Sequence, residues 1–558
     1  MKCVCAISGK SFEITDEDLK FYEKIGVPSP TLCPEERERR RLSWRGKNFF
    51  LRPCDKCQKN SFSWFSADTK GVLTYCDDCF QSDKFDATVY GREFDFDRPF
   101  FEQFAELQKQ VPRHISNAIL NENSEYIISA HKNKNCYMTD EMDGSWDCYF
   151  GYNVQYCKNI VAGLYIRDSE IGYDLVKAEN CYAVFYSQNV FHCVESAFLQ
   201  NCRSCKNCLF SANLRNKEYH VFNKPVSKDE YKKYWDFLFS GSMKNLEICQ
   251  EKFASFIKDQ SFPASILINT EDCTGNYITN SKNAKDCFGV DNCRDCRFCV
   301  DIHKAKDCYD VNIYEGELMY ECVNTGPEGY NIIGSNLCWF ASDVSYCMEL
   351  HHGCKNCFGC AGLKKEEYCI LNKKYSKKEY ELLNTKIVQH MKKTGEYGEF
   401  FPTNMSPTPY NHTMAQQFYP LTKEEVLSRG WKWEDEKEVI GEVAETSIPE
   451  NLKNLPEGFP SKVFSCIITK KKFRFTPQEL DFYKKWGIPL PTLSPATRIE
   501  SLWKKLGDRK LHDRTCSQCS ISVQSVFSAE APAVRGSEEP SGFRREKVLC
   551  EQCYLKIL

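Results

Sequence analysis

The chain has 558 residues, a formal net charge of -3 and 42% hydrophobic residues, which allows three or four folded domains and a large buried core. That charge excludes a global field drawing in nucleic acid or acidic membranes. The opening MKCVCAISGK holds no apolar leader core and no apolar run is long enough to span a bilayer, so a cytoplasmic protein is expected, in which most of the 34 cysteines stay reduced and close pairs bind metal.

In FEITDEDLKFYEKIGVPSP, Thr15 is placed to cap a short helix, with Asp18 at its third position and Gly26 ending it before Pro28. A basic segment follows, with seven basic against three acidic residues between Glu35 and Arg52. Next come Cys54-x2-Cys57, eighteen residues, and Cys76-x2-Cys79. Each C-x2-C turn can offer two thiolates to one tetrahedral ion, so the spacing predicts a zinc ribbon or treble clef. In REFDFDRPFFEQFAELQKQVPR, Asp97 reads as an N-cap and the aromatic stripe from Phe100 as a helical end cap.

From Asn123 to Tyr380 cysteines recur in short polar units. Cys136, Cys157, Cys181 and Cys202 lie 21, 24 and 21 residues apart, and Cys287 and Cys308 repeat the 21-residue step. A fixed period of that length predicts a solenoid, read as a parallel β-helix. It is duplicated: Cys208, Leu214, Tyr219, Asn223 and Tyr231 reappear 149 residues later as Cys357, Leu363, Tyr368, Asn372 and Tyr380. Asn or Asp precedes eleven of the 21 block cysteines, so the expected unit is a left-handed corner followed by an inward thiol.

After block two, 395–460 reads as a linker ordered in part around AQQFYPLTKEEVLSRGWKW. The N-terminal module then returns, with KKFRFTPQELDFYKKWGIPLPTLSPATR matching KSFEITDEDLKFYEKIGVPSPTLCPEER. Cys516-x2-Cys519 and Cys550-x2-Cys553 give a second expected zinc site, its knuckles separated by thirty residues that include APAVRGSEEPSGF.

The fold class expected is therefore mainly β, a cysteine-rich, duplicated parallel β-helix with helical caps between two small zinc-ribbon or treble-clef modules. The expected domains are an N-terminal zinc module (1–90), a capping helix (91–123), block one (124–226), a helical insert (227–262), block two (263–375), a helix and linker (376–460) and a C-terminal zinc module (461–558). Two Zn2+ per chain are expected, and no other cofactor.

Rival chemistries are weaker. Three C-x2-C-x2-C runs (Cys202, Cys205, Cys208; Cys293, Cys296, Cys299; Cys354, Cys357, Cys360) resemble ferredoxin ligands but lack the fourth cysteine and its proline. Cys347, His351 or His352, Cys354 and Cys357 have spacing for one more zinc. TDEMDG at 139–144 could pair carboxylates, but a solvated loop is the simpler reading. Cys5-x2-Ser8 with Cys33-x2-Glu36, and Cys466, Thr469, Ser494 and Thr497 at the matching positions, read as lost metal sites. Phosphate-loop, dinucleotide, H-E-x2-H and G-x-S-x-G motifs are absent.

The repeated FYxKxGxPxPT segment, the paired C-x2-C modules, FDFDRPFFEQF and the NLRNKEY block end resemble an uncharacterised family of bacterial zinc-ribbon proteins. The resemblance covers nearly the whole chain, implies zinc and a bacterial cytosol, and carries no known activity. The leading functional expectation is a non-enzymatic protein that binds RNA or a ribosome surface through basic segments beside each zinc module. These are Arg37, Arg39, Arg40, Arg41 and Arg45, and Arg498, Lys504, Lys505, Arg509 and Lys510. The alternative is a protein-protein scaffold with purely structural zinc; an iron-sulfur carrier or a polymer-acting enzyme ranks below both.

Overall fold

The computed structural model describes the chain apart from residues 125, 313–314, 327, 436–446, 457, 507–508 and 529–546. The inserted loop APAVRGSEEPSGF lies outside the described residues, as does the stretch at 436–446. The fold is mainly β, with two large sheets of parallel strands and flanking helices. It divides into two compact units: Met1–Ser116 with Ser265–Glu436 and Arg509–Leu511, and Asn117–Ala264 with Lys437–Asp508 and His512–Leu558. The N-terminal module thus belongs with the second block, and the C-terminal module with the first.

In the unit built on block one, strands from Ala118–Ile119 to His220–Val221 pair in chain order and in parallel, and Lys224–Pro225 adds an antiparallel edge. Tyr149 pairs with Val161, Lys158 with Glu170 and Tyr182 with Val194, so the register step is twelve residues. The 21-residue spacing in the sequence is therefore not the period. Backbone conformation explains the difference. Asn135, Met138, Glu141, Gly144 and Asp147 all have φ near +50°, and left-handed residues continue at every third position. The residue after each one is buried: Cys136, Thr139, Met142, Ser145, Cys148. A cysteine step of 21 is seven triplets, one full step of twelve plus three more corners.

One inward side chain per three residues leaves a narrow core. Gly151, Gly163, Ser169, Ala178, Cys181, Ser187 and Cys193 fill it, and cysteine serves as a small polarisable apolar group. Every one of the 21 block cysteines follows a left-handed residue, including those behind Tyr156, His192, Phe298, Glu321 and Leu337. The corner is thus the rule, and Asn or Asp only its commonest occupant.

Such corners cost about 1–2 kcal/mol each for residues with a Cβ, and ladders between equivalent corners offset the cost. The Asn123 and Asn135 amides donate to Asn135 and Asp147 at 2.9 Å. The rings of Tyr186, Phe198, Phe210 and Phe222 stack at centroid distances of 4.9, 5.2 and 5.1 Å. Inside, Cys136 Sγ donates to the carbonyls of Lys134 (3.3 Å) and Ser145 (3.4 Å), and its neighbours repeat the pattern. A Cβ on Gly163 would sit 2.8 Å from Ile160 Cγ2 and 2.9 Å from Ile166 Cγ1. Gly163→Ala is therefore expected to destabilise by about 1–3 kcal/mol through overpacking, read as a lower urea midpoint at unchanged slope; an unchanged midpoint would contradict the packing.

Block two follows the same scheme less evenly. Arg294 pairs with Lys306, a step of twelve, but Lys306 pairs with Glu317 and Gly316 with Gly329, steps of eleven and thirteen. Against this stack lies the helix Asp16–Ile25, with the expected capping box at Thr15 and Asp18 and left-handed Gly26 at its end. Phe21 stacks on Tyr309 at 3.8 Å. The helix Phe100–Gln110 is not capped by Asp97: Pro99 holds the cap position, and the Glu396 carboxylate accepts from the amides of Phe100 (2.9 Å) and Phe101 (2.8 Å). Residues 395–435 are more than a linker, since Phe400, Phe401, Tyr410, Met414 and Val426 are buried in this unit's core. The insert forms two helices, Lys228–Leu238 and Met243–Lys258. Among the described residues, no helix is long and apolar enough to cross a membrane.

Candidate metal centres

The strands Phe50–Pro53 and Asn60–Ser63 form a hairpin whose turn carries Cys54 and Cys57. Cys54 N–H donates to Lys59 O and Gln58 N–H to Cys54 O, both at 2.9 Å, with Gln58 left-handed. Cys76 caps the helix Asp77–Gln81, which carries Cys79, and its amide donates to Cys54 Sγ at 3.2 Å. The four sulfurs lie within 4.8 Å of one another and could hold a metal ion.

Cys516, Cys519, Cys550 and Cys553 repeat the arrangement. Their hairpin is His512–Thr515 with Ser522–Ser525, Ser520 is left-handed, and Cys550 caps Glu551–Leu555. Burial works against a thiolate at Cys54 and Cys516, but amides pointed at each sulfur outweigh it and bring the thiols down to about 7 and about 6. Cys76, Cys79 and Cys553 go the other way, raised by burial and by the neighbouring sulfurs.

The basic residues have a different use. Arg37, Arg41 and Arg45 are each 1% exposed or less. Arg37 pairs with Asp310 at 2.8 Å and donates to Leu32 O. Arg41 donates to Asn312 Oδ1 at 2.9 Å and to Asp310 and Glu321 at 3.1 Å. Arg40 pairs with Glu321 (2.9 Å) and Glu399 (2.6 Å), and Arg45 lies 4.3 Å over Trp64. Half-buried Arg39 pairs with Glu36 and packs on Tyr419. Burial opposes the charge on Arg37 and Arg40, but Asp310 and Glu321 outweigh it and hold both guanidiniums firmly protonated.

In the other unit Arg498 is buried against Glu479 (2.8 Å), the Tyr483 hydroxyl (2.6 Å) and the Phe150 ring, and Lys505 pairs with Asp174. Arg509 and Lys510 belong to the unit of block two, where Arg509 pairs with Asp301 (2.7 Å) and Glu38 (3.0 Å) and exposed Lys510 with Glu35 at 3.4 Å. Only Lys504 and Lys510 of the ten basic residues are exposed. The arginines among them are thus held by contacts within the fold, with Arg37, Arg40, Arg41, Arg45 and Arg498 buried. The sequence hides this because the partner acids Asp310, Glu321 and Glu399 lie 269 or more positions away, the first two at left-handed corners.

The 21 block cysteines are ladder residues. Among the described residues, the two tetracysteine sets are the groups of three or more potential ligands that converge; neither the C-x2-C-x2-C runs nor Cys347 with His351, His352, Cys354 and Cys357 do so. His351 is buried against Phe80 and Trp339. Asp140 and Glu141 of TDEMDG lie buried on the strand Tyr137–Asp143, not in a solvated loop. Burial pushes the thiols of Cys157 and Cys322 up to about 12. Hydrogen bonds from neighbouring sulfurs lower Cys136, Cys181 and Cys205 instead, but burial denies the reagent access, so iodoacetamide at pH 7.5 on the reduced, metal-loaded protein should spare the buried block cysteines while marking half-buried Cys3 and Cys273. Rapid alkylation of Cys157 in folded protein, seen by peptide mass mapping, would contradict the ladder. No protein-family model matches the chain, and no curated protein matches it either.

Proposed function

We propose that this protein is a non-enzymatic, zinc-stabilised scaffold of a reducing compartment such as the cytoplasm. Each unit is a zinc module of the hairpin-and-helix, treble-clef kind locked onto a four-cornered parallel β-solenoid, whose outer faces dock other proteins. The observation that carries the reading is the closed donor set. All four positions of each cluster are cysteine sulfurs, and structural zinc is bound that way, whereas catalytic zinc keeps one position open. The Cys57–Cys76 and Cys519–Cys550 sulfur separations, 3.6 and 3.7 Å, match the edge of roughly 3.8 Å of a tetrahedron with Zn–S near 2.3 Å. Zinc would cross-link hairpin to helix and supply folding free energy, with no step of chemistry.

Burial of the arginines favours a protein partner over RNA, because phosphate contacts need exposed cations. The test pairs elemental analysis with single-stranded RNA binding at low and near-physiological salt. Two zinc ions per chain and no salt-sensitive RNA binding are expected. Tight binding that falls steeply with salt would return the protein to the nucleic-acid reading, with Lys504 and Lys510 as first contacts.

A further inference from the structure

The tetracysteine hairpin has two copies elsewhere that hold fewer thiols. Cys5 N–H donates to Lys10 O (2.9 Å) and Gly9 N–H to Cys5 O (3.0 Å), with Gly9 left-handed. Cys466 N–H donates to Lys471 O (2.9 Å) and Lys470 N–H to Cys466 O (3.0 Å), with Lys470 left-handed. These are the bonds made around Cys54 and Cys516. A cross-link is shared too: the amide after the first cysteine donates to the carbonyl two residues before the helix cap. It runs Ala6 to Thr31, Asp55 to Thr74, Ile467 to Thr492 and Ser517 to Val548, at 2.8–3.3 Å. In all four the helix cap is a ligand position: Cys33, Cys76, Ser494 and Cys550.

Where thiols are missing, direct hydrogen bonds span the centre. Cys466 Sγ lies 3.5 Å from Thr497 Oγ1, which lies 2.8 Å from Ser494 Oγ. In the N-terminal copy Ser8 Oγ lies 3.7 Å from Cys33 Sγ, and Ser8 N–H donates to Cys5 Sγ at 3.5 Å. Two of these separations, Cys466 Sγ–Thr497 Oγ1 and Ser8 Oγ–Cys33 Sγ, are close to the 3.6 and 3.7 Å sulfur–sulfur separations of the tetracysteine sets, so the backbone holds donor positions at a similar spacing. Glu36, at the fourth position, is turned to Arg39 and Arg429 instead.

We propose that these are two further metal cages in which a thiol–hydroxyl network has replaced a zinc-class divalent ion, and that either takes such an ion once its thiols are restored. The inference rests on the tetrathiolate reading of the other two clusters. Its physical basis is that ligand geometry is a property of the backbone, which all four copies share, whereas affinity is a property of the donor atoms. The helices these cages start, Pro34–Leu42 and Pro495–Trp503, carry Arg37 and Arg498 into the stacks. A cage without metal can therefore serve as a fixed helix cap, and a neutral hydroxyl network does so with no ion to lose.

The test is the full chain carrying Thr469→Cys, Ser494→Cys and Thr497→Cys together, purified under reducing conditions with zinc. Cysteine already caps the equivalent helix in the other three copies, so the backbone is expected to accept it. Zinc per chain should rise from two to three, and cobalt substitution should raise the thiolate-to-metal absorption by about half, in the same proportion as the number of tetrathiolate sites. A folded variant that still holds two ions overturns the proposal. The independent pair Ser8→Cys with Glu36→Cys tests the other cage, and failure of both variants to accumulate as folded protein also overturns it. A wild-type chain with no zinc would instead sink the tetrathiolate reading, and this inference with it.

Discussion

Cys76→Ser is expected to halve the bound zinc and unfold the N-terminal hairpin-and-helix segment while the other unit's metal stays in place. The buried cluster around this site is Cys54, Cys76 and Ile115, with Tyr75 and Cys79 against it. Phe80 of the helix reaches the unit's main core, but the strands Phe50–Pro53 and Asn60–Ser63 bury no apolar side chain, which leaves little to offset the entropy of ordering the hairpin, about 1–2 kcal/mol of backbone entropy per fixed residue. The ion must make up the difference, and structural zinc in small modules contributes about 10–16 kcal/mol of apparent binding energy near neutral pH. Cys76→Ser removes the sulfur alone, since the backbone amide that donates to Cys54 Sγ and the residue's place at the helix cap are kept, so the loss reports on ligation. Elemental analysis should read one zinc per chain, and amides of Asn60–Ser63 should lose exchange protection. Retention of two ions would refute the ligand assignment. Cys550→Ser should do the same for the second cluster.

The parts of this fold that sequence reading captures are those set by neighbours in the chain. Thr15 and Gly26 bracket their helix because caps are local, and both C-x2-C pairs converge because a hairpin knuckle is local. Parallel pairing was legible in the cysteine recurrence, but its step was not, because Cys136 and Cys157 sit at different corners of a twelve-residue step while Cys157 and Cys181 share one, two steps apart. The true unit is a triplet whose left-handed corner accepts Tyr, Phe, Leu or Glu when a stacked neighbour offsets the strain, and residue type alone does not report that. The burial of the arginines was illegible for a related reason. A basic helix face looks solvated until its acids are known, and Asp310, Glu321 and Glu399 come from strands and loops far along the chain. The missing cap at Asp97 is the same effect in miniature, since Glu396 arrives from the far side of block two.

Arg41→Ala should be among the most damaging substitutions at any position outside the metal clusters, costing about 3–5 kcal/mol, the penalty for breaking a buried ion pair from one side. Its guanidinium is fully buried and meets Asn312, Asp310 and Glu321 at 2.9–3.1 Å. Removing it leaves two carboxylates sharing the charge of Arg37 and Arg40. Glu321 is already pushed above the ordinary carboxylate range by burial, with Arg40 and Arg41 holding it down. Loss of Arg41 should therefore drive Glu321 to take up a proton, and the variant should regain stability as the pH is lowered through the raised carboxyl pKa. Arg41→Ala with Glu321→Gln should lose less than the single variant, because the unpaired charge goes with its partner. Thermal unfolding of wild type, both single variants and the double variant between pH 5 and pH 8 checks the whole set. The same chemistry predicts that charge reversal at Arg39, Arg40 and Arg41 acts by releasing the helix Pro34–Leu42 from the stack; a reversed variant that keeps its melting temperature would show that the network contributes nothing.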